Sequence, residues 1–449
     1  MKSASFIWTD RSVGILQDYL TRPSAAQAVR KGSEVTEISL LNEAARACPY
    51  HAYRQLRAEE PVKFLADQNI WILSRYEDCD YVLSNPERFS SREALSSANA
   101  YRNCPAALEV LTKSRAIPRQ RTLILADGDQ HQRHRKAIQN ALSPARMLKE
   151  FGSTIERRVN AFIDAFIDEG RCEVVSQLSI PLPMSLVAVI FDVPEEMIGT
   201  LKGWSDNFFA ALSGLVPDEV VLRAANDTLE FENFILDRVA ERRGTDRTDF
   251  LARLTNGVDG AEPLNDAEIV NICSQILVGG NESTISLLSN LIYQIATTEG
   301  LAAALRADPD KIPSFVEECL RHEPPLQAMY RITLHEEQIG GKIIPAGSKL
   351  MLNFASANRD EKFYGNGEHF DLERDNTETL HLTFGRGRHA CVGQTIARRE
   401  AVITATALID RLQNIRLLPG HKPMRSKIFG VRGFEQLHIA FERRLQETE

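Results

Sequence analysis

Apolar residues return every three or four positions along most of the chain, the spacing that lines one face of a helix. It predicts helices over 42–60, 76–84, 130–142, 145–169, 183–191, 195–215, 218–243, 246–255, 266–296, 300–307 and 312–322. Strand signals are confined to short runs. Residues 62–64 and 69–73 read as a hairpin, followed much later by 330–334, 342–344, 349–354 and a segment near 434–441. The order is that of a mainly α protein with a smaller β-rich portion, not the regular strand–helix alternation of a parallel sheet. Residues 86–120 break the pattern with Pro86, Pro105, Pro118 and many serines, and a loop that long is functional or disordered. Residues 1–35 read as a loosely attached polar leader and 36–449 as a single domain.

The longest stripe holds Ile269, Ile272, Cys273, Ile276, Leu277, Leu287, Leu288, Leu291 and Ile295. Asn265 stands before it as N-cap, with Glu268 at the third helical position. Some 30 residues at about 1.5 Å each give a helix on the order of 45 Å, long enough to cross the molecule. Its middle reads Gly279-Gly280-Asn281-Glu282-Ser283-Thr284. Two glycines cost a helix roughly 2 kcal/mol against alanine, so the pair needs a reason. It either lets another helix pack closely or marks a local widening beside a ligand, where a hydroxyl bonds back to the carbonyl one turn earlier.

Composition narrows the class. Hydrophobic content of 43% and charged content of 25% are those of a soluble globular protein. At 449 residues the chain asks for several domains, or for one built around a large cofactor. The net charge of −8, from 53 Lys and Arg against 61 Asp and Glu, argues against nucleic-acid binding. Seven cysteines lie scattered without a C-x-x-C pair, which suits a reducing cytoplasm better than a disulfide framework. The first residues show no apolar signal core, and the longest uncharged run, 174–191, is broken by Pro181 and Pro183. A cytoplasmic, monomeric protein without a membrane anchor is expected.

Candidate chemistry gathers in 381–400, HLTFGRGRHACVGQTIARRE. Cys391 sits among Gly385, Gly387 and Gly393, with Arg386, Arg388 and His389 before it. Glycines here permit φ > 0 and close approach of the backbone to something bulky. Behind Cys391 the pattern turns helical through Ile396, Val402, Ile403 and Leu408, so the cysteine falls at or just before a helix start. There, orphan N–H groups and the positive end of the dipole favour a thiolate. Three readings stand open. Cys391 is an inert buried thiol; or Gly385-x-Gly387-x-x-Ala390 is the G-x-G-x-x-A loop of a nucleotide-dependent dehydrogenase; or the cysteine is an axial metal ligand in a haem site, with basic residues for the propionates.

Phe384-Gly385-x-Gly387-x-His389-x-Cys391-x-Gly393 resembles the haem-binding signature of the cytochrome P450 superfamily. Further segments resemble other family motifs, in family order. His131-x-x-x-Arg135 and Arg331 are similar to its propionate-binding residues. Gly279–Thr284 is similar to its A/G-G-x-D/E-T stretch, with Glu282 as the acid, Ser283 in the slot usually held by threonine, and Thr284 next. Glu318, Arg321 and Arg374 resemble a buried structural Glu–Arg–Arg network under the haem.

The resemblance implies the cytochrome P450 fold, with the long central helix crossing above the haem. It implies heme b (iron protoporphyrin IX) ligated by the Cys391 thiolate and held by His131, Arg135, Arg331, Phe384, Gly385, His389 and Gly393. Glu282, Ser283 and Thr284 would relay protons. The implied activity is a bacterial-type soluble monooxygenase, inserting one oxygen atom from O2 into a C–H bond of a mostly apolar small molecule. A fatty acid, terpenoid, steroid or polyketide-like substrate would meet a pocket lined from 86–120, 208–216, 276–284, 326–330 and 428–431. Electrons would come from a ferredoxin and its NAD(P)H-dependent ferredoxin reductase, docking on Lys136, Arg386, Arg388, Arg398 and Arg399. Serine lacks the methyl group that restricts a threonine rotamer. That departure keeps a peroxide-driven hydroxylase in view, beside a haem-binding protein that does not oxidise.

Overall fold

The computed structural model describes residues 48–66, 68–92, 101, 103–116, 121–212, 216–374, 380–428 and 430–444. The expected leader over 1–35, and the start of the helix expected from 42, lie outside them.

The helices used below are α1 (Tyr50–Glu59), α2 (Tyr76–Ser84), α3 (Pro105–Leu111), α4 (Gly128–Ala141), α5 (Pro144–Phe166), α6 (Pro181–Ile190), α7 (Ile198–Leu212) and α8 (Asp218–Ala240). They continue with α9 (Phe250–Asn256), α10 (Asp266–Thr297), α11 (Leu301–Ala307) and α12 (Ile312–His322), then the short α13 (Phe354–Ala357) and α14 (Glu361–Tyr364), and end with α15 (Gln394–Arg411). Strands β1 (Val62–Leu65), β2 (Ile70–Leu73) and β3 (Phe89–Ser90) join β5 (Ala328–Thr333) and β8 (Lys349–Asn353) in a five-stranded sheet of order β1-β2-β8-β5-β3. β1 and β2 form the expected hairpin, with Val62 opposite Leu73. A three-stranded sheet pairs β12 (His438–Arg443) with both β4 (Arg171–Glu173) and β9 (Leu412–Leu417).

α10 spans 32 residues and is capped as its sequence requires. The Asn265 side chain accepts from the Glu268 N–H, and the Glu268 carboxylate accepts from the Asn265 N–H. Burial would raise the Glu268 carboxyl, but hydrogen bonds from His134, Arg133 and that N–H outweigh it and hold the group at about 2. Ile269, Ile272, Cys273, Leu277, Leu287, Leu288, Leu291 and Ile295 of α10 are buried and form the spine of the main core. Around them pack α6, α7, α8, α12 and α15. A second cluster, including Val62, Leu73, Tyr76, Val82, Leu350 and Leu352, fills the space between the five-stranded sheet and α2.

Some elements depart from their sequence signals. Residues 86–120 are not one irregular loop, since they contain β3 and α3. The segment before Pro181 winds as a π-turn over Val175–Ser179 before α6 begins. β4, β9 and a third short strand at Glu337–Ile339 carried no usable alternation, being three to six residues long and defined by their partners. Among the described residues, no helix is long and apolar enough to cross a membrane.

Candidate active site

The loop before α15 is built by two glycines in the left-handed region, Gly385 at φ +64° and Gly387 at φ +67°. A Cβ on Gly387 would stand 2.9 Å from the Leu83 carbonyl oxygen, so that residue must be glycine on two counts. Gly393 differs: it precedes α15 with φ −87°, an ordinary conformation. Among the described residues no strand leads into the loop, so they do not form the strand–loop–helix unit of a dinucleotide site. The Cys391 N–H donates to the Phe384 carbonyl at 2.8 Å, closing the loop on itself. The Arg398 guanidinium lies 4.4 Å from the Phe384 ring centre and is bonded to Glu317.

Cys391 has open surface, yet the surrounding protein encloses it so closely that burial raises its thiol pKa. The open surface is therefore that of an internal space. Hydrogen bonds from the Gly393 and Gln394 N–H groups, and the charges of Arg135 and Arg398, pull the thiol the other way without prevailing. The expected thiolate at a helix start is thus not stabilised by the protein alone; a coordinated metal cation would supply the missing positive charge. Among the described residues no group of three or more His, Cys, Asp or Glu is placed to hold a metal ion.

Four basic side chains meet near this loop. His131 of α4 is buried, and its ring lies 4.0 Å from that of His389, centre to centre. Arg135, one turn on, donates to the Ala390 carbonyl beside the cysteine. Arg331 of β5 is 8% exposed. Burial and the neighbouring cations depress them: His131 is held at about 4 by burial and Arg135, and His389 at about 3 by burial, Arg331 and His131. Burial alone brings Arg331 down to about 10, against the pull of Asp127. Among the described residues the buried His131 Nε2 has no hydrogen-bond partner. Two guanidinium groups and two neutral imidazoles, one with an orphaned nitrogen, fit a group that brings its own carboxylates, as a haem does.

In α10 the helix stays α-helical throughout Gly279–Thr284, so the expected widening is absent. What remains is the back-bond: the Ser283 hydroxyl donates to the Gly279 carbonyl at 2.7 Å. Gly279 is exposed in the middle of a core helix, and a Cβ there would meet nothing within 4 Å. Gly279 therefore borders open space, whereas Gly280 faces α6, where a Cβ would stand 3.8 Å from the Val187 side chain. Thr284 is buried. Glu282 does not stand free beside it. Lys202 of α7 donates to Glu282 at 3.2 Å and also to Asp206. Burial would lower the Lys202 pKa, but the two carboxylates raise it. Asn281 bonds Ser205 at 2.9 Å, fastening α10 to α7 a second time. Lys202, Asp206 and Asn281 were not singled out from the sequence. Lys202-x-x-x-Asp206 was legible as a helical i,i+4 pair, but its meeting with Glu282, 80 positions away, was not.

The Glu–Arg–Arg network forms as spaced. Glu318 and Arg321 are both fully buried and pair through two bonds of 2.7 Å. Arg374 reaches Glu318 at 3.4 Å. Arg321 also donates to the carbonyls of Asn358, Gly367 and His369, so α12 is stitched to the segment that precedes the cysteine loop. Of the five basic residues expected to form a docking patch, Arg386 pairs with Asp80, Arg398 with Glu317 and Arg399 with Glu156, while Lys136 and Arg388 are exposed.

Comparison with known proteins converges on one family. The profile described as "Cytochrome P450" matches residues 208–429. The chain is 30% identical over 392 residues to the steroid C26-monooxygenase of Mycolicibacterium smegmatis, covering 87% of this chain and 92% of that one. It is 28% identical over 436 residues to the cytochrome P450 monooxygenase PikC of Streptomyces venezuelae, covering 93% and 97%. Among solved structures, P450BioI in complex with hexadec-9Z-enoic acid ligated acyl carrier protein superposes with a TM-score of 0.79 at 26% identity, over 89% of this chain and 99% of that one. An exposed cysteine at the loop, clustered basic side chains and a long helix with open space beside Gly279 are thus the parts of a haem-thiolate monooxygenase, and the chain belongs to the cytochrome P450 family.

Proposed function

We propose that Cys391 ligates the iron of heme b, that His131, Arg135, Arg331 and His389 hold its propionates, and that Phe384, Gly385 and Gly393 shape the loop around the sulfur. The haem, when bound, activates O2 so that one oxygen atom enters a substrate C–H bond. The protein positions substrate and moves protons. Ser283 holds its hydroxyl on the Gly279 carbonyl, beside the open space, where it can pass a proton on rotation. Glu282 draws on the Lys202–Asp206 pair, in which burial raises Asp206 above the usual carboxylate range despite Lys202. Proton transfer by a positioned group is worth roughly 10²–10⁴ in rate, so the loss of the Ser283 hydroxyl should be costly.

The substrate is a mostly apolar small molecule. The relatives favour this reading, since they include a steroid C26-monooxygenase and a structure in complex with a fatty acid ligated to acyl carrier protein. Electrons come from a separate ferredoxin and its NAD(P)H-dependent reductase in the cytoplasm, and the exposed Lys136 and Arg388 form the part of the basic face left for an acidic partner. The chain from residue 36 works as one catalytic domain.

The observation that carries the reading is the exposed Cys391, enclosed by protein and within the field of Arg135 and Arg398. Reduced, carbon-monoxide-bound protein should show the red-shifted Soret band of thiolate ligation, and Cys391→Ala should lose it. A haem-supplied wild type that stays colourless, or a Cys391→Ala variant that keeps the band, would sink the assignment. Spectral titration with fatty acids, steroids, terpenoids and polyketide-like compounds then ranks the substrate classes.

A further inference from the structure

We propose that Asp127 is the positioning residue that locks the propionate cradle together, an assignment that rests on the haem site proposed above. Asp127 occupies the N-cap position of α4, with φ −121° and ψ 170°. Aspartate at that position ordinarily caps the helix by accepting from a backbone N–H two or three residues on. Here it makes no such bond. Gly128, at φ +57°, turns the chain directly after it. The carboxylate is instead directed across to β3, where it accepts the Ser90 hydroxyl at 2.5 Å and the Ser91 N–H at 3.0 Å. The Arg92 guanidinium completes the set at 3.7 Å.

Those contacts reach each segment that carries a cradle cation. Ser90 pairs with Ile332 in β5, the neighbour of Arg331. Ser91 places its hydroxyl 3.2 Å from the His389 Nε2, on the loop of Cys391. The Asp127 carbonyl accepts the His131 N–H at 3.3 Å, and the His131 ring then rests on His389. Asp127 thus links strand and helix and, through Ser91, the cysteine loop, which lies 298 positions from Ser91 in the chain. It is also the carboxylate whose charge favours the protonated forms of Arg331, His131 and His389 together. A helix cap has been exchanged for a clamp on the basic residues that would hold the propionates. Nothing in the spacing of the sequence marked Asp127, Ser90 or Ser91.

The test uses haem-loaded wild type, Asp127→Ala and Asp127→Asn. Haem transfer to excess apomyoglobin gives the release rate, resonance Raman reports the propionate-bending band, and potentiometry the iron potential. Asp127→Ala should release haem more than threefold faster than wild type and shift the propionate band. Asp127→Asn keeps an acceptor for the Ser91 N–H but no charge; it should release haem more slowly than the alanine variant, and its potential should move to more positive values because a negative charge has gone. Should the alanine variant fail to fold, Ser90→Ala takes its place with the same threshold. Release within threefold of wild type in the folded variants, with an unmoved propionate band, overturns the assignment. A wild type that holds no haem overturns the underlying site reading instead, so the two failures are distinguishable.

Discussion

Glu400, on α15 nine positions after the cysteine, shows how far one buried side chain departs from its ordinary chemistry. It is 3% exposed, and its Oε1 and the Oγ1 of Thr404 one turn on lack hydrogen-bond partners among the described residues. Burial pushes its carboxyl from 4.5 up to about 8. The folded chain therefore keeps a proton that the unfolded chain gives up. This contribution to stability is whole below pH 4.5 and is lost as the pH climbs towards 8. Glu400→Gln removes the titration, so its stability relative to wild type should grow by roughly 1.4 kcal/mol per pH unit across that window. Urea unfolding at pH 5, 6.5 and 8 checks it; a constant difference would count against a neutral Glu400.

At the scale of the element, α10 and α12 make separable predictions. In the proposed relay the Ser283 hydroxyl donates a proton, and the helix should remain intact without it because the back-bond adds nothing to the ladder. Ser283→Ala should keep its fold and spectrum yet yield at least about tenfold less product per NADH, while Ser283→Thr should retain coupling. Equal coupling in all three would remove Ser283 from the relay. In α12, Arg321→Ala would leave the fully buried Glu318 carboxylate with only the Asp371 N–H and Arg374 at 3.4 Å, and its Oε2 without a donor. Such a loss costs about 3–5 kcal/mol, to be read as a lower urea midpoint. The carbonyls of Asn358, Gly367 and His369 would lose their donor as well, so the cysteine loop should loosen with it.

The whole molecule carries a net charge of −8, and delivery of electrons by an acidic ferredoxin, as proposed above, would depend on which cations of the basic face stay exposed and unpaired. Arg386, Arg398 and Arg399 are spoken for by internal carboxylates. Lys136→Glu and Arg388→Glu should therefore slow reduction by an acidic ferredoxin at low salt, with the difference fading as ionic strength rises, whereas Arg399→Glu should matter less. Stopped-flow reduction at several salt concentrations measures this. Equal sensitivity of all three sites would mean that the internal pairs do not shield.

What the chain order alone determined was local: helix and strand periods, the Asn265–Glu268 cap, the i,i+3 pairing of Glu318 with Arg321, and the glycine-bracketed Cys391. These depend on neighbours within a turn or a loop, and such patterns survive in one dimension. The tertiary structure decided how distant charges share an environment. It tied Glu282 to Lys202 and Asp206, turned Asp127 from cap to clamp, neutralised most of the basic patch, and raised a thiol expected to be ionised. Each outcome depends on desolvation and on partners far away in sequence, and those quantities exist only once the chain has closed upon itself.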